Sequence, residues 1–465
     1  MQLFRRPAIS LQAGSAAALP SKGAPWGWFA VATIIIANMA GLIAYQRYMG
    51  GDFPYHDEWR FVGRLQELPH MGMLHYLFAP DGIYFTPVEF LIWYVFYALT
   101  HLNIMLIRYT GAVVSAAVAL LTCVMLYLKA PQKNLIMWAA ICIAPFIVCS
   151  FNFWATYGIS IESLIKPLMF GIVLATCWAA ESLVRPRNKL IWLVLCIVGS
   201  LIASGIYAPG LVLLPAIILA RFLLRRRLDW TQWILTLVAA ALLAAYLIAG
   251  HGVGSRGAPS NYTLHDLWVC LYSAFGLLGN AIMSPFTATM GLYTRLVGVL
   301  IFGVQIAGMI YAIRQSAELR HRYMIPVTLS LYNIFIISEI LVVRFHFPGF
   351  EFYPRYAVLM LGGPISMLFW ITMCTPTRIA GHALRIGVLV VMIIAVVMAD
   401  MREYHVAPYR HANIRAERHF LMSLSGEPDL GQQSTFHITS RRLPLIYPGL
   451  LYLRANHLAM YWQPR

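Results

Sequence analysis

Apolar stretches separated by short polar clusters recur from Trp26 to Ala399. Most approach the ~20 residues that a helix needs to cross a hydrocarbon core of ~30 Å. The first, Trp26 to Tyr45, follows Arg5, Arg6 and Lys22 but is long and lacks an A-x-A cleavage site, so it reads as a retained first helix and not as a signal peptide. Further crossings are predicted at Ile104 to Leu128, Asn134 to Ser150, Ser163 to Val184, Lys189 to Ser204, Pro209 to Leu224 and Trp230 to Gly250. Others follow at Leu292 to Ile313, Tyr323 to Val343, Ala357 to Met373 and Leu384 to Ala399, which makes about eleven.

Two more apolar segments, Pro87 to Leu102 and Leu267 to Met290, are ambiguous by hydropathy, and charge decides them. If neither crosses, the clusters Lys129 with Lys133, Arg185 with Arg187 and Lys189, Arg221 with Arg225 to Arg227, Arg314 with Arg320 and Arg322, and Arg378 with Arg385 all fall on the cytoplasmic side. One extra crossing breaks that pattern. Both segments are therefore expected as re-entrant or interfacial helices on the outer face, packed against protein.

The fold expected is an all-α polytopic membrane protein. A cytoplasmic segment covers residues 1–25, a transmembrane domain with a first outer loop at 50–103 covers 26–400, and a small outer tail covers 401–465. In the tail, Tyr404 to Leu424 reads as helix, Gly426 to Gln433 as turn, and Leu443 to Trp462 as short apolar runs.

Composition agrees: of 465 residues, 60% are hydrophobic and 11% charged, too apolar for water to be the main solvent. The net charge of +16 sits in clusters between apolar stretches, which orients a membrane protein and does not point to nucleic acid. The seven cysteines fall in apolar segments without paired spacing, so neither disulfides nor a metal knuckle is expected.

The densest polar constellation is Asp52-Phe-Pro-Tyr-His-Asp57-Glu58-Trp59-Arg60, directly after the first crossing. A partly buried carboxylate there can accept a proton from an attacking sugar hydroxyl. Adjacent Asp57 and Glu58 raise one another's pKa, and His56 and Arg60 can tune the pair. The plainer alternative is a helix start, with Asp57 as cap and Glu58 in the first turn.

Arg355, at the outer mouth of a crossing, offers a guanidinium for a lipid-linked phosphate, or a snorkelling anchor. Lys166 and Glu162, one turn apart near the outer end of another crossing, are either a simple ion pair or functional intramembrane charges. Glu89, Glu339 and Arg344 join them at lower weight. HExxH, GxSxG, a Cys/His ligand set, the P-loop and the Rossmann fingerprint are all absent from the sequence. No cofactor is called for, although a divalent cation held by Asp52 and Asp57 stays open.

His56-Asp57-Glu58, placed after the first crossing, resembles the acidic motif of the GT-C glycosyltransferases. A closer resemblance is to bacterial members with a D-E-W motif. Ala203-Ser-Gly-Ile-Tyr-Ala-Pro-Gly210 resembles their small-residue turn, Leu277-Leu-Gly279 their L-G segment, Pro354-Arg355-Tyr356 their R-Y motif, and Leu453-Arg-Ala-Asn-His-Leu458 their ending. Their histidine-glutamate-histidine-arginine run is reduced to Thr86-Pro-Val-Glu89.

The resemblance implies transfer of a sugar from a polyprenyl-phosphate donor, outside a bacterial inner membrane, to a cell-envelope glycan or lipid acceptor such as O-antigen. It implies Asp57, with Glu58 next, as the acid that activates the acceptor. Arg355, Tyr356, Lys166, Glu89, His56 and Arg60 are the expected substrate contacts, with Arg355 and Lys166 facing the donor phosphate. A transporter or flippase for a lipid-linked or anionic substrate is the alternative, resting on Lys166, Glu162, Glu339 and Arg344.

Overall fold

The computed structural model describes residues 24–54, 58–79, 85–183, 188–226, 229–250, 263–284, 288–344, 350–374, 379–423 and 443–461. Among them there is no strand, and helices carry the whole fold. The first half contains α1 (Ala24–Met49), α2 (Glu58–Phe78), α3 (Pro87–Thr100), α4 (Ile104–Lys129), α5 (Leu135–Val148), α6 (Trp154–Gly158), α7 (Ser160–Ser182), α8 (Lys189–Ile206) and α9 (Leu213–Arg225). The second half contains α10 (Trp230–Gly250), α11 (Leu264–Asn280), α12 (Ala288–Arg314), α13 (Ala317–Arg320), α14 (Met324–Arg344), α15 (Pro354–Ala357), α16 (Gly362–Met373), α17 (Ile379–Ser423) and α18 (Leu443–Ala455).

Eleven helical stretches among the described residues are long and apolar enough to cross a membrane, and each coincides with an expected crossing. The most apolar stretch of Arg355–Met373, built from α15, a 3-10 turn and α16, is wholly buried at the centre. Outer surfaces of α8, α10, α12 and α17 expose Leu190, Leu237, Ile248, Leu296 and Leu384. Apolar area on this scale is stable against lipid, not water. The chain is a multi-pass membrane protein.

Small residues let the crossings approach closely, as packing in lipid demands. Pro167 cannot bond the Ser163 carbonyl one turn back, and that carbonyl lies against Gly111 of α4, where a Cβ would stand only 2.5 Å from its oxygen. At the α11–α12 contact, a Cβ on Gly279 would collide with the Thr294 carbonyl, and one on Gly298 with the Phe275 carbonyl.

The two ambiguous segments are helical, and neither is among the eleven stretches. Helix α3 has 14 residues and α11 has 17, the latter rising about 26 Å. The expected Leu267 to Met290 segment is divided: α11 ends at Asn280, and Ala288 to Met290 already belong to the crossing of α12.

Tyr404 to Leu424 is helical through Ser423, but as part of one 45-residue helix with the last crossing, not as a separate segment. A break near Asp400 is avoided because the polar residues that follow find partners. Asp400 accepts from Ser150 Oγ and the Phe151 amide, each at 3.1 Å, and Glu403 accepts from Tyr45 Oη at 2.7 Å. Farther along, His411 stacks on Tyr48, and Arg418 grips Asp52 at 2.6 and 2.8 Å. The pairs 45/403, 48/411 and 52/418 ascend together, so α1 and α17 run in the same direction, as the first and eleventh of eleven crossings must. Gly426 to Gln433 lies outside the described residues, whereas Leu443 to Trp462 contains α18, which packs on α2.

Candidate functional site

The face at which α1 ends, the loop face, carries the expected site residues that are described. His56 and Asp57 lie outside the described residues. Helix α2 begins at Glu58, in line with the helix-start reading of this motif.

Glu58 is fully buried. Its Oε1 accepts from the Ser160 hydroxyl and from the Ile161 amide, the latter at 2.9 Å. Ile159, the residue before α7, supplies no side-chain cap. A carboxylate from the first loop therefore caps α7, where the exposed amides and the helix dipole favour negative charge. This bond fixes the start of α2 against α7, next to the position of Asp57 in the chain. Arg60, in the first turn of α2, lays its guanidinium 4.8 Å from the ring of Phe61.

Lys166 stands on α7 with 1% of its surface exposed. Its ammonium is paired with the Glu162 carboxylate and donates to the Arg355 carbonyl at 2.8 Å. Tyr207 presents its ring 5.7 Å away, and the charges of Glu89 and Arg355 also act on Lys166. An ammonium this deep is tolerable because a carboxylate, a carbonyl and an aromatic face surround it.

Glu89 is buried in the first turn of α3, where the helix dipole favours its charge. The amino end of α3 rests on α8 at Gly205, where a Cβ would stand 2.7 Å from Val88 Cγ2. In the turn that follows, a Cβ on Gly210 would collide with the Ala203 carbonyl. The small-residue turn is thus what brings Tyr207 and Glu89 to Lys166.

Arg355 is held from two sides. Asn280, at the end of α11, donates to the carbonyls of Glu351 and Tyr353 at 3.1 and 3.2 Å, and Tyr356 donates its amide to Tyr353 at 2.9 Å. Lys166 holds the carbonyl on the other side. Arg355 is half-buried, with its guanidinium 5.8 Å from the buried Tyr356 ring. The structure therefore brings Lys166, Glu162, Glu89, Arg355 and Tyr356 into one constellation, with Glu58 one turn of α7 away. Glu339 and Arg344 belong to the last turns of α14, and one oxygen of Glu339 is buried without a hydrogen-bond partner.

Two groups escaped the sequence reading. Arg108, 1% exposed in the second turn of α4, donates to the Gly158 carbonyl at 2.7 Å. Its guanidinium also lies against Gly51, where a Cβ would stand 2.9 Å from Nη2. The signal was a lone cation within an otherwise apolar stretch. The second group joins Asn152, Asn280, Ser284 and Arg402. Asn152 donates to the Asn280 carbonyl at 2.7 Å and accepts from the Ser284 amide at 2.9 Å, while Arg402 donates to the Ser284 carbonyl. No single segment announces it.

Among the described residues no group of His, Cys, Asp and Glu is arranged to hold a metal ion. All seven cysteines are free thiols. The chain matches no family model and no curated protein.

Proposed function

We propose that the protein is a membrane glycosyltransferase of the GT-C type, moving a sugar from a polyprenyl-phosphate donor to a cell-envelope glycan or lipid acceptor. One observation carries the reading: the half-buried Arg355 is held through its carbonyl by a buried Lys166–Glu162 pair, on the face at which α1 ends. Such a cation neutralises a departing lipid phosphate without having to reorganise, and it counts for more where water is scarce. Arg355 and the ring of Tyr356 receive the donor phosphate and sugar. Asp57 takes the proton of the acceptor hydroxyl as the hydroxyl attacks the anomeric carbon.

The geometry divides the expected roles. Glu58 is committed to the amino end of α7 and serves to place Asp57. Lys166 holds the Arg355 carbonyl and so positions the arginine. Glu89 adds negative charge near Lys166.

The membrane is a bacterial inner membrane in this reading, with the loop face toward the periplasm and the amino terminus in the cytoplasm. Support comes from the opposite ends of the crossings, which carry Lys129, Lys133, Arg225, Arg314, Arg320 and Arg322. The carboxyl-terminal tail is then periplasmic, consistent with the packing of α18 on α2.

A transporter or flippase is favoured by one observation, the unpartnered buried oxygen of Glu339. Purified protein in liposomes, supplied with polyprenyl-phosphate sugars extracted from the source cells, separates the two. A transferase releases free polyprenyl phosphate in an acceptor-dependent way and loses this with Arg355→Ala. A flippase moves the intact donor between leaflets and depends on Glu339 instead.

A further inference from the structure

The ends of the crossings opposite the loop face enclose a second polar feature that the proposed transfer does not use. A cavity of about 520 Å3 opens where α4, α7, α12 and α16 end and the α13–α14 segment begins. That volume lies within the ~300–1,000 Å3 of small-molecule sites.

Its charge is arranged unevenly. Lys129 is paired with Glu181 and lies 5.6 Å from the Trp178 ring, so those two charges offset each other at one wall. The opposite wall carries His321 and Arg322, with Gln315 adding an amide. With Lys129 and Glu181 offset, Arg322 leaves the cavity net cationic, and His321 and Gln315 add hydrogen-bonding groups. Tyr311 and Tyr323, edge to face at 5.8 Å, form a rigid apolar floor that continues into Trp370.

The rim decides the kind of anion. Leu128 and Leu319 line the cavity and are 55% and 38% exposed, at helix ends where the hydrocarbon core begins. A soluble anion gains nothing from such a rim. An amphiphile places its phosphate on the cations and its chains along the leucines, the arrangement expected of basic pockets between crossings.

We propose that this cavity binds the phosphate ester of an anionic membrane lipid, with the phosphate against Arg322, His321 and Gln315 and the acyl chains along Leu128 and Leu319. The site is independent of the transfer reaction, and its test does not use activity.

The test is thermal unfolding of the full chain in detergent, titrated with phosphatidylglycerol, phosphatidylcholine, glycerol 3-phosphate or inorganic phosphate. Native mass spectrometry counts the retained lipid. Phosphatidylglycerol should raise the midpoint where phosphatidylcholine does not, and Arg322→Gln should weaken it about fivefold, the loss expected for one basic group at a headgroup. Arg314→Gln, on the same face but outside the lining, should leave binding unchanged. If Arg322→Gln does not fold, Leu319→Glu takes its place, because a carboxylate at the exposed rim should weaken phosphatidylglycerol binding by a similar factor. Equal stabilisation by phosphatidylcholine, or unchanged binding in the cavity variants, overturns the proposal. A full response to glycerol 3-phosphate or inorganic phosphate alone overturns the lipid assignment.

Discussion

Lys166 Nζ donates to the carbonyl oxygen of Arg355 at 2.8 Å, joining positions 189 apart in the chain. The same ammonium is neutralised by Glu162 one turn earlier on α7. An arginine at the mouth of the most buried crossing is thus positioned through its backbone by a buried ion pair.

Removing one partner of that pair strands the other. Lys166→Met should cost about 3–5 kcal/mol of stability, and Glu162→Gln with Lys166→Met should recover most of it, because a neutral pair carries no unpaired buried charge. Denaturation in detergent measures both. Glycan transfer should stay low even in the recovered double variant, since the hold on the Arg355 carbonyl is gone.

Glu58 tests positioning against catalysis. Glu58→Ala leaves the Ser160 hydroxyl and Ile161 amide without their acceptor and should cost about 1–3 kcal/mol. Glu58→Gln keeps an acceptor and should cost less, with turnover partly retained. If Glu58→Gln folds like the wild type and is as inactive as Asp57→Asn, the capping role is not its main one.

Close helix approach predicts a contrast between two glycines. Gly279→Ala forces a Cβ into the Thr294 carbonyl and should destabilise the α11–α12 contact by about 1–3 kcal/mol or more. Gly303, on the same α12, has open space around it, so Gly303→Ala should be neutral or stabilising by up to ~1 kcal/mol. Paired thermal midpoints give the answer.

The α9–α10 connection predicts a dependence on pH. Burial pushes the Asp229 carboxyl up, but the Thr231 hydroxyl, Arg221, the Gln232 amide and Arg225 outweigh it and hold the group below the usual carboxylate range. A lowered folded pKa contributes stability above the ordinary aspartate value of ~3.9, lost as pH falls through the folded value. The wild type should therefore be more stable than Asp229→Asn at neutral pH, and the gap should close on acidification below pH ~4. A gap that persists there contradicts this assignment.

The crossings were legible because length and apolarity are local properties, and the same holds for the apolar runs that form the shorter helices α3 and α11. The long continuous α17 was not, since Asp400, Arg402 and Glu403 read as a helix end until Ser150, Ser284 and Tyr45 supply their partners. In the site, Lys166, Glu162 and Arg355 were visible as charges in apolar surroundings. That Lys166 meets Arg355, or Glu58 meets α7, depends on the packing order of helices more than a hundred positions apart, which no local pattern carries. Arg108 was missed because a single arginine near a helix start usually anchors to the interface.

The most direct test of the central claim is the envelope glycan composition, by mass spectrometry, of cells lacking this protein and complemented with wild type, Asp57→Asn or Arg355→Ala at matched membrane abundance. The account predicts that one sugar substituent is lost with the protein, returns with the wild type, and fails to return with either variant. Full restoration by Asp57→Asn would contradict the proposed base, and full restoration by both variants would contradict the transferase reading itself.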